Sequence, residues 1–212
     1  MDILEIIVFT VLAYLLGSIP TAIWLGKLRY GIDIREHGRG EATHTNVYRI
    51  LGPRAGLAVQ FADLLKGFLA AGLALFVHTR WGWFSDIEYP LLSMSFGLAA
   101  VMGHIFPLFA GFRGGKGFHV SLGVLLAVNP AATAVVVGMA LIIYLLFRYP
   151  QLGYLVGGIA LPVFVLLYGG NLYGDMMIPM LVFTLGLGLI LFLTYRPNVL
   201  EIWREEGPFI FR

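Results

Sequence analysis

Apolar residues run along this chain in long stretches interrupted by short polar segments. Runs long enough to cross about 30 Å of hydrocarbon lie near Ile3 to Trp24, Ala55 to Val77, Tyr89 to Gly111, Ala131 to Phe147, Leu152 to Leu167 and Ile178 to Thr194. A shorter stretch, Phe118 to Val128, ends at Asn129-Pro130 and counts as a seventh, short crossing, because proline separates it from the next helix. The pattern predicts an all-α integral membrane protein, a bundle of about seven transmembrane helices with residues 1–212 as a single domain. The first run opens with Asp2 and Glu5 and is too long for the apolar part of a signal peptide.

Composition supports the membrane reading. Hydrophobic residues make up 59% of the chain and charged residues 12%, against about 25% charged in soluble domains, and mean hydropathy is +0.86. The absence of cysteine excludes disulfides and thiolate metal sites, and the net charge of +2 decides nothing. Positive charges are more useful, because Lys and Arg are retained on the cytoplasmic side. With seven crossings, Lys27, Arg29, Arg35, Arg39, Arg49, Arg54, Arg113, Lys116, Arg148, Arg196, Arg204 and Arg212 share one face, and Arg80 lies opposite. The expected topology has the N-terminus outside and the C-terminus cytoplasmic. Six crossings would instead put Arg148 and the C-terminus outside. Gly153 and Gly157 form a small-xxx-small pair that fits close helix packing within the bundle better than a dimer face.

Candidate chemistry gathers in the polar segments. The loop from Gly26 to Pro53 is longer than a connection requires, and its centre reads GRGEATHTN, Gly38 to Asn46. Gly38 and Gly40 free the backbone, while Thr45 and Asn46 supply polar donors beside Arg39 and Arg49. The same loop also fits a basic surface held by anionic headgroups. A second segment, FRGGKGFHVSLG, flanks Lys116 with Gly114, Gly115 and Gly117, so that backbone amides and an ammonium can approach one phosphate together. It is not a Walker A loop, since Phe118 stands where Ser or Thr would be needed and no strand precedes it.

Other polar residues sit at the ends of apolar runs. Ser18 and Pro20 lie in GSIPTAIWLGK, where Trp24 and Lys27 also suit interfacial anchoring. Asp63 and Lys66 are spaced to pair on one helical face, either as a neutral structural pair or as part of a site. His104 ends a crossing, as a helix-end hydrogen bonder or a catalyst. Arg196 and Asn198 are placed just past the last crossing, in YRPN. No His precedes an Asp by five positions and no G-x-S-x-G elbow occurs, which argues against soluble-type glycerolipid acyltransferases and acyl-serine hydrolases.

Taken together, GSIPTAIWLGK, DIREHGRGEATHTNVYRILG, DLLKG, GHIFPLFAGFRGGKG and YRPN resemble the bacterial membrane acyl-phosphate:glycerol-3-phosphate acyltransferases, the PlsY family, over nearly the whole chain. That resemblance implies seven crossings with a cytoplasmic-face site in a bacterial inner membrane. It also implies transfer of a fatty acyl group from acyl phosphate to the 1-hydroxyl of glycerol 3-phosphate, giving lysophosphatidic acid and phosphate without a covalent acyl-enzyme. By motif position it makes Lys116, Thr45, Asn46 and Arg49 the expected catalytic residues, with Gly40, Gly114, Gly115, Gly117, Arg196 and Asn198 on substrate phosphates. Ser18, Asp63, Lys66 and His104 are supporting positions. The expected partners are acyl phosphate, glycerol 3-phosphate and membrane lipid, with no cofactor and no nucleic acid.

The site segments depart from the family pattern. Where the family's first loop reads S-G-N-x-G-A-T-N, this chain keeps Gly40, Thr45 and Asn46 but has Arg39, Glu41, Thr43 and His44 in place of Ser, Asn, Gly and Ala. The family's G-G-K-G-V-A-T becomes Gly114 to Val120 with Phe118 and His119, and its H-R-x-N becomes Tyr195 to Asn198. Arg39 is a bidentate phosphate donor that compensates for a lost hydroxyl. Glu41, His44 and His119 have the donor types of a zinc or iron site, but Glu41 and His44 provide one E-x-x-H copy where a di-iron site needs two. The departures leave open a non-catalytic relative serving as a lipid-binding or structural subunit of a membrane complex. An anion transporter is disfavoured, because no charge cluster matches on the outer side.

Overall fold

The computed structural model describes residues 3–81 and 89–206. Asp2 and Arg212, used above for the signal-peptide and charge arguments, fall outside them. Among the described residues the regular structure is helical throughout: α1 Ile3–Gly17, α2 Thr21–Tyr30, α3 His44–Leu51, α4 Pro53–Trp81, α5 Tyr89–Ile105, α6 Phe118–Val128, α7 Pro130–Phe147, α8 Pro150–Tyr173 and α9 Met177–Glu206. Single 3-10 turns lie at Ile34–Glu36, Leu108–Ala110 and Gly174–Met176. The chain divides into two compact units, Met1–Val128 and Asn129–Arg212.

In the first unit α4 is apolar outside and mostly small or polar inside. α4 buries Ala55, Val59, Asp63, Lys66, Ala70, Ala74 and Val77 along one stripe and exposes Leu57, Phe61, Leu65, Phe68, Leu69, Leu75 and Phe76. Lipid rewards no burial of Leu or Phe, so interhelical contact is made by small residues and backbone. α1 crosses α5 where Gly17 lies against the Ala100 backbone and Gly103 against the Tyr14 carbonyl. α6 crosses α4 where Gly67 meets the Val120 carbonyl and Gly123 the Leu64 carbonyl. A Cβ at any of these four glycines would overlap backbone.

The first apolar run is two helices rather than one. α1 and α2 meet at 42°, and Ser18, Ile19 and Pro20 form the break. Pro20 has no N–H to continue the ladder of α1, and its carbonyl instead starts α2 by accepting from Trp24 N–H at 2.9 Å. The long polar loop also holds structure, since Thr43 caps α3 by accepting from Asn46 N–H. α6 has the expected bounds, but eleven residues reach only about 16 Å.

In the second unit Asn129 caps α7, with Pro130 in the first turn, and donates to the Tyr173 hydroxyl. α7 packs on α8 through Gly153 and Gly157, which face Ala140 and Val136, so the small-residue pair serves packing within the chain. The apolar stretch Pro150–Leu200 spans 51 residues, far more than one crossing needs at about 1.5 Å per residue. It folds back on itself at Gly174, bringing Gly158 against Gly188 and Tyr154 against Tyr195. Pro162, inside α8, leaves the Gly158 carbonyl without its helical donor, and the bare backbone of Gly188 packs against that oxygen. α9 continues through Pro197 to Glu206. Arg196 and Asn198 therefore lie on a continuous helix rather than in a loop.

Among the described residues four stretches are able by length and composition to cross a membrane, or five with α1 and α2 as one broken span. Because Pro150–Leu200 is a hairpin, it supplies two passes rather than one.

Candidate active site

The first glycine-rich loop is organised from its own side chains. α2 ends at Gly31 in the left-handed region, where glycine carries no Cβ penalty. Asp33 then caps the following turn and grips Arg35, accepting from Nε at 3.0 Å and from Nη2 at 2.7 Å. Lys27 adds a second cation at 3.1 Å. The hydrogen bonds from Arg35 hold the Asp33 carboxyl well below the usual carboxylate range. Arg35 is fixed in turn, and its Nη1 donates to the Ala110 carbonyl at 3.0 Å, tying this loop to the segment that carries Lys116.

Asn46 is the hub of the same loop. Its Nδ2 donates to the carbonyls of Ile34, His37 and Glu41 at 3.1, 2.9 and 3.0 Å. Its Oδ1 accepts from the Arg39 N–H at 3.1 Å. Gly38 and Gly40 have φ of +61° and +70°, and a Cβ on Gly38 would overlap Asn46 Oδ1. The amide that sequence marks as catalytic is thus engaged in holding residues 34–46 in one shape.

The second loop is folded back onto the end of α5. Gly114 N–H donates to the Ile105 carbonyl at 3.2 Å, and Gly115 N–H to the His104 carbonyl at 3.1 Å. These two amides are committed to backbone, so the cradle expected on both sides of Lys116 is one-sided. After Gly117, with φ of +84°, the ladder of α6 begins with Ser121 N–H on the Gly117 carbonyl at 2.8 Å. The amides of Phe118, His119 and Val120 precede that first rung, at the positive end of the helix.

The two loops meet. Lys116 Nζ donates to Glu41 Oε1 at 2.7 Å, and a Cβ on Gly115 would come within 2.9 Å of the Ala42 carbonyl. His44 and His119 touch edge to face with centroids 4.1 Å apart, while His44 Nε2 and Thr45 Oγ1 lie 3.1 Å apart. Burial holds His44 down at about 4, against the opposing pull of the Asp63 charge, so its ring is neutral near pH 7. Glu41 is turned to Lys116. Among the described residues no three His, Asp or Glu side chains form a candidate metal site.

Beneath this junction lies a buried polar network joining the α1/α2 break, α4 and α5. Asp63 Oδ1 accepts from Thr21 Oγ1 at 2.6 Å and pairs with Lys66 Nζ at 2.8 Å. Lys66 also donates to the Ile19 carbonyl at 2.8 Å, at the break itself. His104 Nδ1 stands 3.7 Å from Asp63 Oδ1, and the other edge of its ring packs against Gly115. Asp63, Lys66 and His104 are all buried, and the Ser18 hydroxyl is buried beside them without a hydrogen-bond partner. Thr21 is the member that sequence reading missed, because nothing in PTAIW distinguishes its hydroxyl from a helix-start residue.

The remaining candidates lie further out. Arg39 is half-buried on the loop, and Arg49 is exposed in the last turn of α3. Arg196 is exposed and Asn198 buried on α9, in the second unit.

Comparison with known proteins adds to this geometry. A family model described as glycerol-3-phosphate acyltransferase matches residues 7–205. A glycerol-3-phosphate acyltransferase of Chlorobium phaeobacteroides is 42% identical over 164 residues, covering 76% of this chain and 70% of its own. One from Bacillus cytotoxicus is 45% identical over 163 residues, covering 77% of each chain. "Glycerol-3-phosphate acyltransferase 2" of Bacillus cereus is 37% identical over 202 residues, 93% of this chain and 91% of its own. Among solved structures, the integral membrane acyltransferase PlsY in its glycerol 3-phosphate form aligns with a TM-score of 0.80 at 32% identity, covering 94% of this chain and 92% of that one. Its lysophosphatidic acid form aligns with a TM-score of 0.78.

Proposed function

The chain belongs to the glycerol-3-phosphate acyltransferase family, an integral membrane enzyme that transfers an acyl group to glycerol 3-phosphate in phospholipid synthesis, and from that premise we propose how its loops do so. The donor is an acyl phosphate. Lys116, with the amides that open α6, holds one phosphate, and Arg39 and Arg49 with Thr45 hold the other. Gly40, Gly114, Gly115 and Gly117 let the backbone come close, and Asn46 positions the first loop. Ser18, Asp63, Lys66 and His104 support the floor.

The chemistry asks little more than this of the protein. The 1-hydroxyl of glycerol 3-phosphate attacks the acyl carbonyl, a C–O bond forms, and the tetrahedral oxyanion collapses by breaking the bond to phosphate. The hydroxyl proton leaves on a phosphate oxygen, so ester and inorganic phosphate balance the reactants. Positioning two anions and stabilising the oxyanion account for the catalysis, without a covalent acyl-enzyme.

The observation that carries the reading is the junction of both glycine-rich loops at Lys116, above a buried network that fixes them. The non-catalytic alternative was motivated by the replaced loop residues. Those replacements pair with the other loop, Glu41 with Lys116 and His44 with His119, as in a site rebuilt as a unit.

The enzyme sits in a bacterial inner membrane with this junction at the cytoplasmic face, a placement supported by the clustered Lys and Arg. Purified protein is expected to release inorganic phosphate only when acyl phosphate and glycerol 3-phosphate are both present. Folded protein that releases none under those conditions overturns the assignment of that substrate pair.

A further inference from the structure

We propose that Glu41 is an exchangeable counter-anion for Lys116, holding the ammonium while the site is empty and yielding it to a substrate phosphate. The proposal rests on reading Lys116 as a phosphate ligand. A carboxylate stands 2.7 Å from that ammonium, so an anion arriving at Lys116 enters a position that is already taken.

Two features make the pair exchangeable rather than structural. The side chains of Lys116 and Glu41 remain 13% and 26% exposed, so water and ions reach both partners. The loops are also held together without them. Arg35 donates to the Ala110 carbonyl and His44 packs on His119, while within the first loop Asn46 holds the Glu41 carbonyl. Glu41 releases Lys116 by rotating its own side chain, with its backbone still pinned and the loop closed.

The consequence is a uniform reduction in anion affinity. Phosphate binds only the fraction of molecules in which Lys116 is released, so its apparent dissociation constant rises by the inverse of that fraction. The same competition speeds product departure, because the carboxylate reclaims the ammonium as phosphate leaves. Glu41 thereby sets the affinity of the site without touching the reacting atoms.

Inorganic phosphate is a suitable probe, titrated into the full-length purified protein and used as a competitor in the acyl-transfer assay. Glu41→Gln keeps the side chain's size and leaves the backbone carbonyl available to Asn46. It is expected to bind phosphate about 3- to 10-fold more tightly than wild type, with KM falling by the same factor for whichever substrate places its phosphate on Lys116, and kcat not rising. Glu41→Asp, one methylene shorter, is expected to fall between the two and serves where the glutamine variant misfolds. Lys116→Met should weaken phosphate binding and erase the effect of Glu41→Gln in the double variant.

Unchanged or weaker phosphate binding by Glu41→Gln overturns the proposal and leaves the Lys116 reading standing. Equal tightening with and without Lys116 overturns it as well, because the carboxylate then acts by general repulsion. If Lys116→Met leaves phosphate affinity unchanged, the phosphate reading of Lys116 falls and the proposal falls with it.

Discussion

Gly115 is hemmed between the buried His104 imidazole and the Ala42 carbonyl, at the seam where the two loops touch. A methyl group there must displace backbone on one side or a packed ring on the other, and Lys116 is the next residue along. Gly115→Ala is therefore expected to lower kcat/KM at least tenfold in the phosphate-release assay, of the order seen when a catalytic group is misplaced by about an ångström. Gly138→Ala makes the control, because nothing lies within 4 Å of its added methyl and alanine favours a helix by about 0.5–1 kcal/mol. Equal losses in both variants would show that the Gly115 contact is irrelevant. The residue types at this seam are readable in RGGKG, whereas their constraint is not. Gly115 is required by a ring eleven positions earlier and a carbonyl in another loop, and nothing local to the sequence announces either. Asn46 illustrates the same limit, since a motif marks it as polar and important but only its acceptors reveal that it shapes the loop.

Elements are fixed by a different part of the sequence. Hydropathy finds the apolar helices because length and composition suffice for that, and Phe118–Val128 emerges with its expected ends because Pro130 stops it. Contacts between helices are less legible, because a glycine within an apolar run barely alters its hydropathy. Gly67 and Gly123 let α4 and α6 approach until backbone meets backbone, and this crossing carries the start of α6 to its place beside Lys116. Gly123→Leu, which must push against the Leu64 carbonyl, is expected to destabilise the protein by about 2 kcal/mol or more. In detergent this would appear as a markedly lower thermal midpoint, together with lost activity. Gly72→Leu, on α4 with open space around its added Cβ, should leave the midpoint close to wild type. A Gly123→Leu protein as stable as wild type would mean that the α4–α6 approach is not tight. The break at Ser18 to Pro20 was hidden for a related reason. Apolar character continues across it, and what terminates α1 is a missing donor rather than a change in hydropathy.

At the scale of the whole molecule, the signal that remains is the distribution of charge, and it bears on how often the chain crosses the membrane. α6 decides the matter, because eleven residues fall short of a full crossing at about 1.5 Å each, yet the positive-inside pattern is satisfied only if it counts as one. With α6 as a crossing, Arg113 and Arg148 are cytoplasmic, while Asp175, in the turn between α8 and α9, faces out. Without it, Arg148 moves outside and Asp175 inside. The natural chain has no cysteine, so single cysteines introduced as Arg113→Cys, Arg148→Cys and Asp175→Cys can be labelled without background. A membrane-impermeant maleimide applied to intact cells is expected to modify only the Asp175→Cys protein, and the other two should react after the membrane is opened. Labelling of Arg148→Cys in intact cells, with Asp175→Cys protected, would reduce the count to six and place the C-terminal end of α9, beyond Arg196 and Asn198, outside. Those two residues could not then meet a phosphate on the cytoplasmic side, and the expectation that the family resemblance attaches to them would fall.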